Sequence, residues 1–225
     1  AGQMSRLHDV DDQAPARTSG RIAETFARLK AAGAPGLITY VTAGDPDLER
    51  TAGILKALDR GGADVLEVGV PFSDPLADGP VIQRATERAL ASGTTLAGVL
   101  DLVGRLRGDL KAPIVLFSYA NPVLRLGAER FADRAREAGV DGVLVLDLPI
   151  EEAGGFRTLL ASRGIDTILL LSPTTSDERL RRAAALGSGF LYAISRLGVT
   201  GARDAIAEGA EAMVRRIRAV SPLPI

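Results

Sequence analysis

The amino-acid sequence predicts an α/β fold built on parallel strands, with an eightfold βα barrel favoured over an open doubly wound sheet. Three observations carry this. Six short apolar runs, most of them rich in β-branched residues, recur along the 225 residues, which is how strands buried on both faces read. Helical patterns lie between the runs. Several of those helices close on a glycine just before the next run, as at Gly61, Gly139 and Gly164. Strand, loop, helix, glycine, strand is the signature of repeated βα units.

Taken in order, residues 1–20 show no apolar periodicity, are rich in Asp, Gly, Ser and Gln, and read as a flexible N-terminal tail. Residues 21–225 read as the barrel domain. It opens with a helix near Arg21 that places Ile22, Phe26 and Leu29 on one face and stops at Gly33. Strands are predicted at Gly36–Thr42, Asp64–Val70, Ile114–Ser118, Gly142–Leu146, Thr167–Leu171 and Phe190–Ile194. Helices are predicted at Leu48–Arg60, Ile82–Ala91, Leu96–Leu106, Arg130–Ala138, Glu152–Arg163, Asp177–Leu186 and Ala205–Val220. The first strand leads into Thr42–Pro46 (TAGDP), which is neither a dinucleotide fingerprint nor a P-loop, and this favours the barrel over the open sheet. The chain supplies six βα units, and Ser221–Ile225 reads as the start of a seventh. A closed barrel needs eight, so the pattern leads us to expect roughly 40–50 further residues past Ile225, or closure through a partner chain.

Composition excludes several chemistries. Lys and Arg number 27 against 28 Asp and Glu, a formal charge of −1, so neither nucleic acid nor an anionic membrane is an expected partner. With no cysteine, disulfides, thiolate nucleophiles and Cys-ligated metals are ruled out. The single histidine is His8, which leaves no Ser-His-Asp triad and no multi-His metal site, and no metal is expected. No apolar run is long enough to span a bilayer. With no basic-then-apolar leader, the composition leads us to expect a cytoplasmic enzyme.

The densest functional stretch is Leu66–Gln83, LEVGVPFSDPLADGPVIQ. Glu67 lies inside an apolar strand, where a carboxylate is costly unless neutralised, paired or used. Asp74 and Asp78 follow in a loop stiffened by Pro71, Pro75 and Pro80. Alone, each Asp reads as a turn former or helix cap. A strand-end carboxylate combined with a loop carboxylate, on the face where barrels keep their sites, reads as acid/base chemistry. Ser195–Arg203 (SRLGVTGAR) follows the sixth strand and reads either as an anion cradle of backbone N–H groups or as a plain glycine-rich turn. Tyr119, in SYANP after the third strand, reads as a pocket wall or as loop packing. Asp147, in DLP after the fourth, reads as orienting a substrate or holding a loop.

Together these segments resemble the α subunit family of tryptophan synthase. YVTAGDP, LEVGVPFSDPLADGPVIQ, SYANPV, GVDGVLVLDLP and GVTGARD occur in that order, and the likeness runs from about Arg21 to Ile225. The resemblance implies a TIM barrel that cleaves indole-3-glycerol phosphate to indole and glyceraldehyde 3-phosphate in L-tryptophan biosynthesis. It also implies a β-subunit partner in a heterotetramer of two α and two β chains. No cofactor is implied for this chain, pyridoxal phosphate being expected only in the β subunit. By motif, Glu67 and Asp78 match the family's catalytic carboxylates. Tyr40 matches an aromatic position near the indole, and Tyr119, Asp147 and Tyr192 match pocket-lining positions. Thr200 and Gly201 match a loop that closes over substrate and helps hold phosphate, and Asp74, Pro75 and Asn121 match loops that face the β subunit. The family's later GFGI and GSA segments, which complete the phosphate site, do not occur before Ile225.

The implied reaction suits these residues. Retro-aldol cleavage needs one carboxyl that gives a proton to indole C3 and then takes one from the hydroxyl, a role for Glu67 with its pKa raised by an apolar setting. A second carboxylate, Asp78, must stay ionised to accept from the ring N–H, a charge-assisted bond contributing about 1.5–3 kcal/mol. A Schiff-base route would need a lysine at the C-terminal end of a strand. Lys30 and Lys56 lie in predicted helices and Lys111 precedes the third strand. Two other readings stay open on sequence alone: another phosphate-sugar barrel enzyme, such as an isomerase, and a non-catalytic barrel that regulates a β-type partner.

Overall fold

The computed structural model describes residues 20–194 and 209–225. Residues 1–19, and with them nearly all of the predicted tail, lie outside the described residues, as do Thr200, Gly201 and the rest of 195–208. The described elements are α1 (Arg21–Ala32), β1 (Ile38–Thr42), α2 (Leu48–Arg60), β2 (Val65–Gly69), α3 (Pro80–Ala91), α4 (Leu96–Leu106) and β3 (Ile114–Ser118). They continue with α5 (Ala120–Leu126), α6 (Ala128–Glu137), β4 (Gly142–Val145), a 3-10 turn at Ile150–Glu152, α7 (Ala153–Ser162) and β5 (Asp166–Thr167). β6 (Leu169–Leu171), α8 (Asp177–Leu186), β7 (Leu191–Ala193) and α9 (Ala210–Arg218) follow.

Local chemistry accounts for several helix boundaries. The side chains of Asp47, Thr95 and Ser176 accept from the backbone N–H groups of Arg50, Gly98 and Arg179 at the starts of α2, α4 and α8. Each satisfies an amide that has no partner within its helix. Pro80 opens α3, where a missing N–H removes nothing the helix uses.

Three expectations differ from what is found. The predicted strand Thr167–Leu171 is two strands, because its halves pair with different neighbours: β5 with β4, and β6 with β7. Ile168 sits between them and still donates its N–H to the Val143 carbonyl at 2.9 Å, so the backbone keeps one course. SYANP is only partly a loop, since α5 begins at Ala120. Asn121-Pro122 argues against a helix, but Pro122 falls in the first turn, where N–H groups have no helical partner. Ser221–Ile225 is not a strand, although Leu191 donates to the Pro224 carbonyl at 2.8 Å and so lies beside it.

The strands are parallel, in the order β1-β2-β3-β4-β5 and β6-β7. Their two faces separate the core. Leu66, Val68, Ile114, Leu116 and Val143 pack outward with helix residues such as Leu55, Val99, Val103 and Phe131. The alternate residues Val65, Val115, Leu144, Ile168 and Phe190 meet one another and Ile22 of α1 on the other face. The Phe117 and Tyr192 rings are 6.3 Å apart although two intervening strand courses separate β3 from β7. A flat sheet would hold strands that far apart by well over 10 Å, so the sheet is rolled around its inner face. Gly142 shows how tight that interior is: a Cβ there would lie 2.6 Å from the Ile168 side chain and 3.0 Å from that of Ile22.

Candidate active site

Alternation along β2 turns Val65, Glu67 and Gly69 inward and Leu66 and Val68 toward the helices. Glu67 therefore enters the barrel interior near its C-terminal rim. It is 3% exposed, and its Oε1 atom is buried with no hydrogen-bond partner among the described residues. Burial alone pushes its carboxyl up from 4.5 to about 7. A buried pairing with Arg or Lys, the ordinary structural reason for such a residue, is not what moves it.

Tyr40 stands opposite Glu67 in the β1–β2 register. Its ring crosses over β2 so closely that a Cβ on Gly69 would lie 2.6 Å from Tyr40 Cζ. Glycine at 69 is what lets the aromatic ring lie there. Burial is the main cause raising the Tyr40 phenol to about 12, opposed by a hydrogen bond from Thr42 and reinforced by Asp78, Glu67 and Tyr192. Tyr192 on β7 is likewise raised, first by burial and then by the Glu67 charge. Phe117 of β3 lies between the two tyrosines, 5.4 Å from the Tyr40 ring and 6.3 Å from the Tyr192 ring. The result is an aromatic wall beside the buried Glu67 carboxyl.

Asp78 reaches the same place from the loop between β2 and α3 and is 7% exposed. Its Oδ2 accepts from the Tyr119 hydroxyl at 3.1 Å, and the same hydroxyl accepts from the Ala77 amide at 3.2 Å. The loop is also tied by Asp78 N–H to the Pro75 carbonyl at 3.1 Å and by Gln83 Nε2 to the Asp78 carbonyl at 2.8 Å. Burial raises the Asp78 carboxyl while the Tyr119 hydrogen bond works to lower it. The Tyr119 ring packs on Phe72 at 5.3 Å.

Tyr40, Glu67, Asp78, Tyr119 and Tyr192 are thus brought to one end of the barrel. Asp147 is placed differently from the others. Its Oδ1 accepts from the Ala120 amide at 2.6 Å, so it holds the start of α5. It also borders an apolar cleft with Val123, Leu148 and Phe156. Thr200 and Gly201, the expected phosphate contacts, lie outside the described residues. Asp74 and Asn121 are exposed, Pro75 is half-buried, and Leu76 between the two loop aspartates is 81% exposed. Phe117, Gly69 and Phe72 were not among the residues singled out from sequence. The signal for Phe117 was present: in IVLFS it shares the inward phase of Val115, and β3 pairs with β2.

This arrangement holds one carboxyl able to exchange a proton near neutral pH, and a second held by a donor, beside an aromatic surface. A family model described as "Tryptophan synthase alpha chain" matches residues 26–225. A tryptophan synthase alpha chain from Citrifermentans bemidjiense is 52% identical over 205 residues, covering 91% of this chain and 77% of that one. The crystal structure of tryptophan synthase subunit alpha from Legionella pneumophila superimposes with a TM-score of 0.83 at 41% identity, covering 92% of this chain and 76% of that one. A structure addressing mutual activation of the tryptophan synthase a2b2 complex from Pyrococcus furiosus matches with a TM-score of 0.77 at 40% identity, covering 84% and 75%. The rolled parallel sheet and its helices are the TIM barrel of these neighbours, and the chain belongs to the tryptophan synthase alpha chain family.

Proposed function

We propose that this chain cleaves indole-3-glycerol phosphate to indole and glyceraldehyde 3-phosphate, with Glu67 as the acid/base and Asp78 as the carboxylate that holds the indole ring. Family membership makes the chain a lyase of tryptophan biosynthesis, acting in the alpha reaction. The observation that carries the reading is the buried Glu67 carboxyl, one oxygen of which has no partner among the described residues, beside the Tyr40–Phe117–Tyr192 wall, with Asp78 entering from the neighbouring loop.

The atoms balance without any redox change. Protonated Glu67 gives its proton to indole C3, leaving positive charge near the ring nitrogen. The Glu67 carboxylate then takes the proton of the hydroxyl on the adjacent carbon. As the aldehyde forms, the bond from that carbon to C3 breaks and its electron pair returns to the ring. Asp78, ionised, accepts from the ring N–H and stabilises the charge as it grows. Thr200 and Gly201 take the phosphate in this reading, and no cofactor takes part in any step on this chain.

A β-type subunit that consumes indole with pyridoxal phosphate is the proposed partner, docking on the face that carries Asp74, Pro75 and Asn121. The proposed setting is cytoplasmic. No helix among the described residues is long and apolar enough to cross a membrane. The test is indole release from indole-3-glycerol phosphate by the purified chain and by Glu67→Gln. The variant should fold and lose on the order of 10²–10⁴ or more of the rate, the usual contribution of a positioned acid/base. Activity within about threefold of the parent would remove Glu67 from the chemistry.

A further inference from the structure

We propose that Tyr119 is a positioning residue for Asp78, setting both the carboxylate's orientation and the loop that carries it from the fixed end of β3. The proposal rests on the reading of Asp78 given above.

The resemblance makes Tyr119 a pocket-lining residue, but its polar end is already committed. A phenol has one proton to donate. That proton goes to Asp78 Oδ2 at 3.1 Å, and the oxygen also accepts from the Ala77 amide at 3.2 Å. The hydroxyl thus bridges two consecutive residues of the loop between β2 and α3. The ring behind it has little freedom, being 5% exposed and packed on Phe72. The backbone beside it is held as well, because Asp147 Oδ1 fixes the Ala120 amide at 2.6 Å. A rigid support therefore reaches from the β3 and β4 ends to a loop whose Ala77 and Leu76 side chains are exposed. Asp147 earns its place through this support rather than through contact with Glu67. Among the described residues, the other titratable groups whose fields reach this pair are Asp147 on Tyr119 and, on the Asp78 side, Tyr40.

The hydroxyl favours ionised Asp78, the form the reaction needs, against a burial that favours the neutral acid. Removing it should misplace the carboxylate and make it harder to ionise. Tyr119→Phe keeps the ring and should lower kcat about 10- to 100-fold, the size of a lost hydrogen bond to a charged group, with a smaller change in KM. The acid limb of kcat/KM should move to higher pH.

The deciding measurement is a double-mutant cycle with Asp78→Asn, read as indole release. If Tyr119 acts through Asp78, adding Tyr119→Phe to Asp78→Asn should cost less than about threefold more. If the two losses multiply, or if Tyr119→Phe raises only KM and leaves the acid limb in place, the proposal is overturned while Asp78 keeps its role. Unimpaired turnover in Asp78→Asn would overturn that role and the proposal together. Should Tyr119→Phe fold poorly, 3-fluorotyrosine placed at 119 keeps the fit and strengthens the donor. The acid limb should then move to lower pH, and an unmoved limb overturns the proposal.

Discussion

In the proposed reaction Glu67 couples activity and stability to pH through one group. Its carboxyl is pushed up from 4.5 to about 7 by burial. The proposed reaction begins from its protonated form, so kcat/KM should fall as pH rises through about 7, and on the acid side it should fall as Asp78 becomes protonated. The stability effect has a definite sign. Below the unfolded value both states hold the proton and the buried site carries no charge. Between 4.5 and about 7 the unfolded chain ionises first, so the fold loses stability as pH rises, by about 3 kcal/mol in all. Glu67→Gln cannot titrate, and denaturant midpoints at pH 5 and pH 8 should differ less for the variant than for the parent. Equal differences would mean that Glu67 is not the buried neutral group described. For Asp78→Asn, turnover should suffer more than substrate binding, because the charge opposite the ring nitrogen grows mainly toward the transition state. A loss appearing wholly in KM would make Asp78 a binding residue instead.

At the scale of elements, the site depends on which face each strand turns inward. β2 presents Val65, Glu67 and Gly69, and the absence of a side chain at Gly69 gives the Tyr40 ring its place. Gly69→Ala should force that ring to move and cost about 1–3 kcal/mol in stability by overpacking. Its effect on kcat/KM should be larger in proportion, on the order of 10- to 100-fold, since small displacements at a reacting centre are amplified in rate. Steady-state assays beside thermal unfolding would separate the two. An activity loss under about twofold would show that Tyr40 need not sit over β2. These elements were legible in sequence to different degrees. The bounds of α2, α4, α8 and β3 agree with the predicted ones, because caps and periodicity act locally there. The break at Ile168 and the early start of α5 were not legible. The first depends on a change of neighbouring strand, and the second on a proline falling where a helix tolerates it.

For the whole molecule, the exposed rim beside the site is the face proposed to receive a β-type partner. It carries Leu76 at 81% exposure and Leu124 at 49%, near the apolar cleft bordered by Asp147. Mixing the chain with a tryptophan synthase β subunit should slow amide exchange at residues 73–77 and 120–126 and raise indole release. Unchanged exchange at both segments would place the contact elsewhere. The same rim connects to Asp78 through Tyr119, so a partner seated there would act on the loop that carries Asp78.

The sequence by itself determined the class of fold and singled out Glu67 and Asp78 as the carboxylates of the proposed chemistry. Each of these follows from composition, local periodicity or a contiguous motif. Tertiary structure decided what those residues meet. Only the rolled sheet brings Phe117 between Tyr40 and Tyr192, leaves a Glu67 oxygen without a partner among the described residues, and gives Asp78 the Tyr119 hydroxyl from 41 residues away. For that reason the sequence alone leaves Tyr119 open between pocket wall and loop packing, and Asp147 between orienting a substrate and holding a loop. A residue's type can be read from the chain, but its hydrogen-bond partner is set by which strands become neighbours.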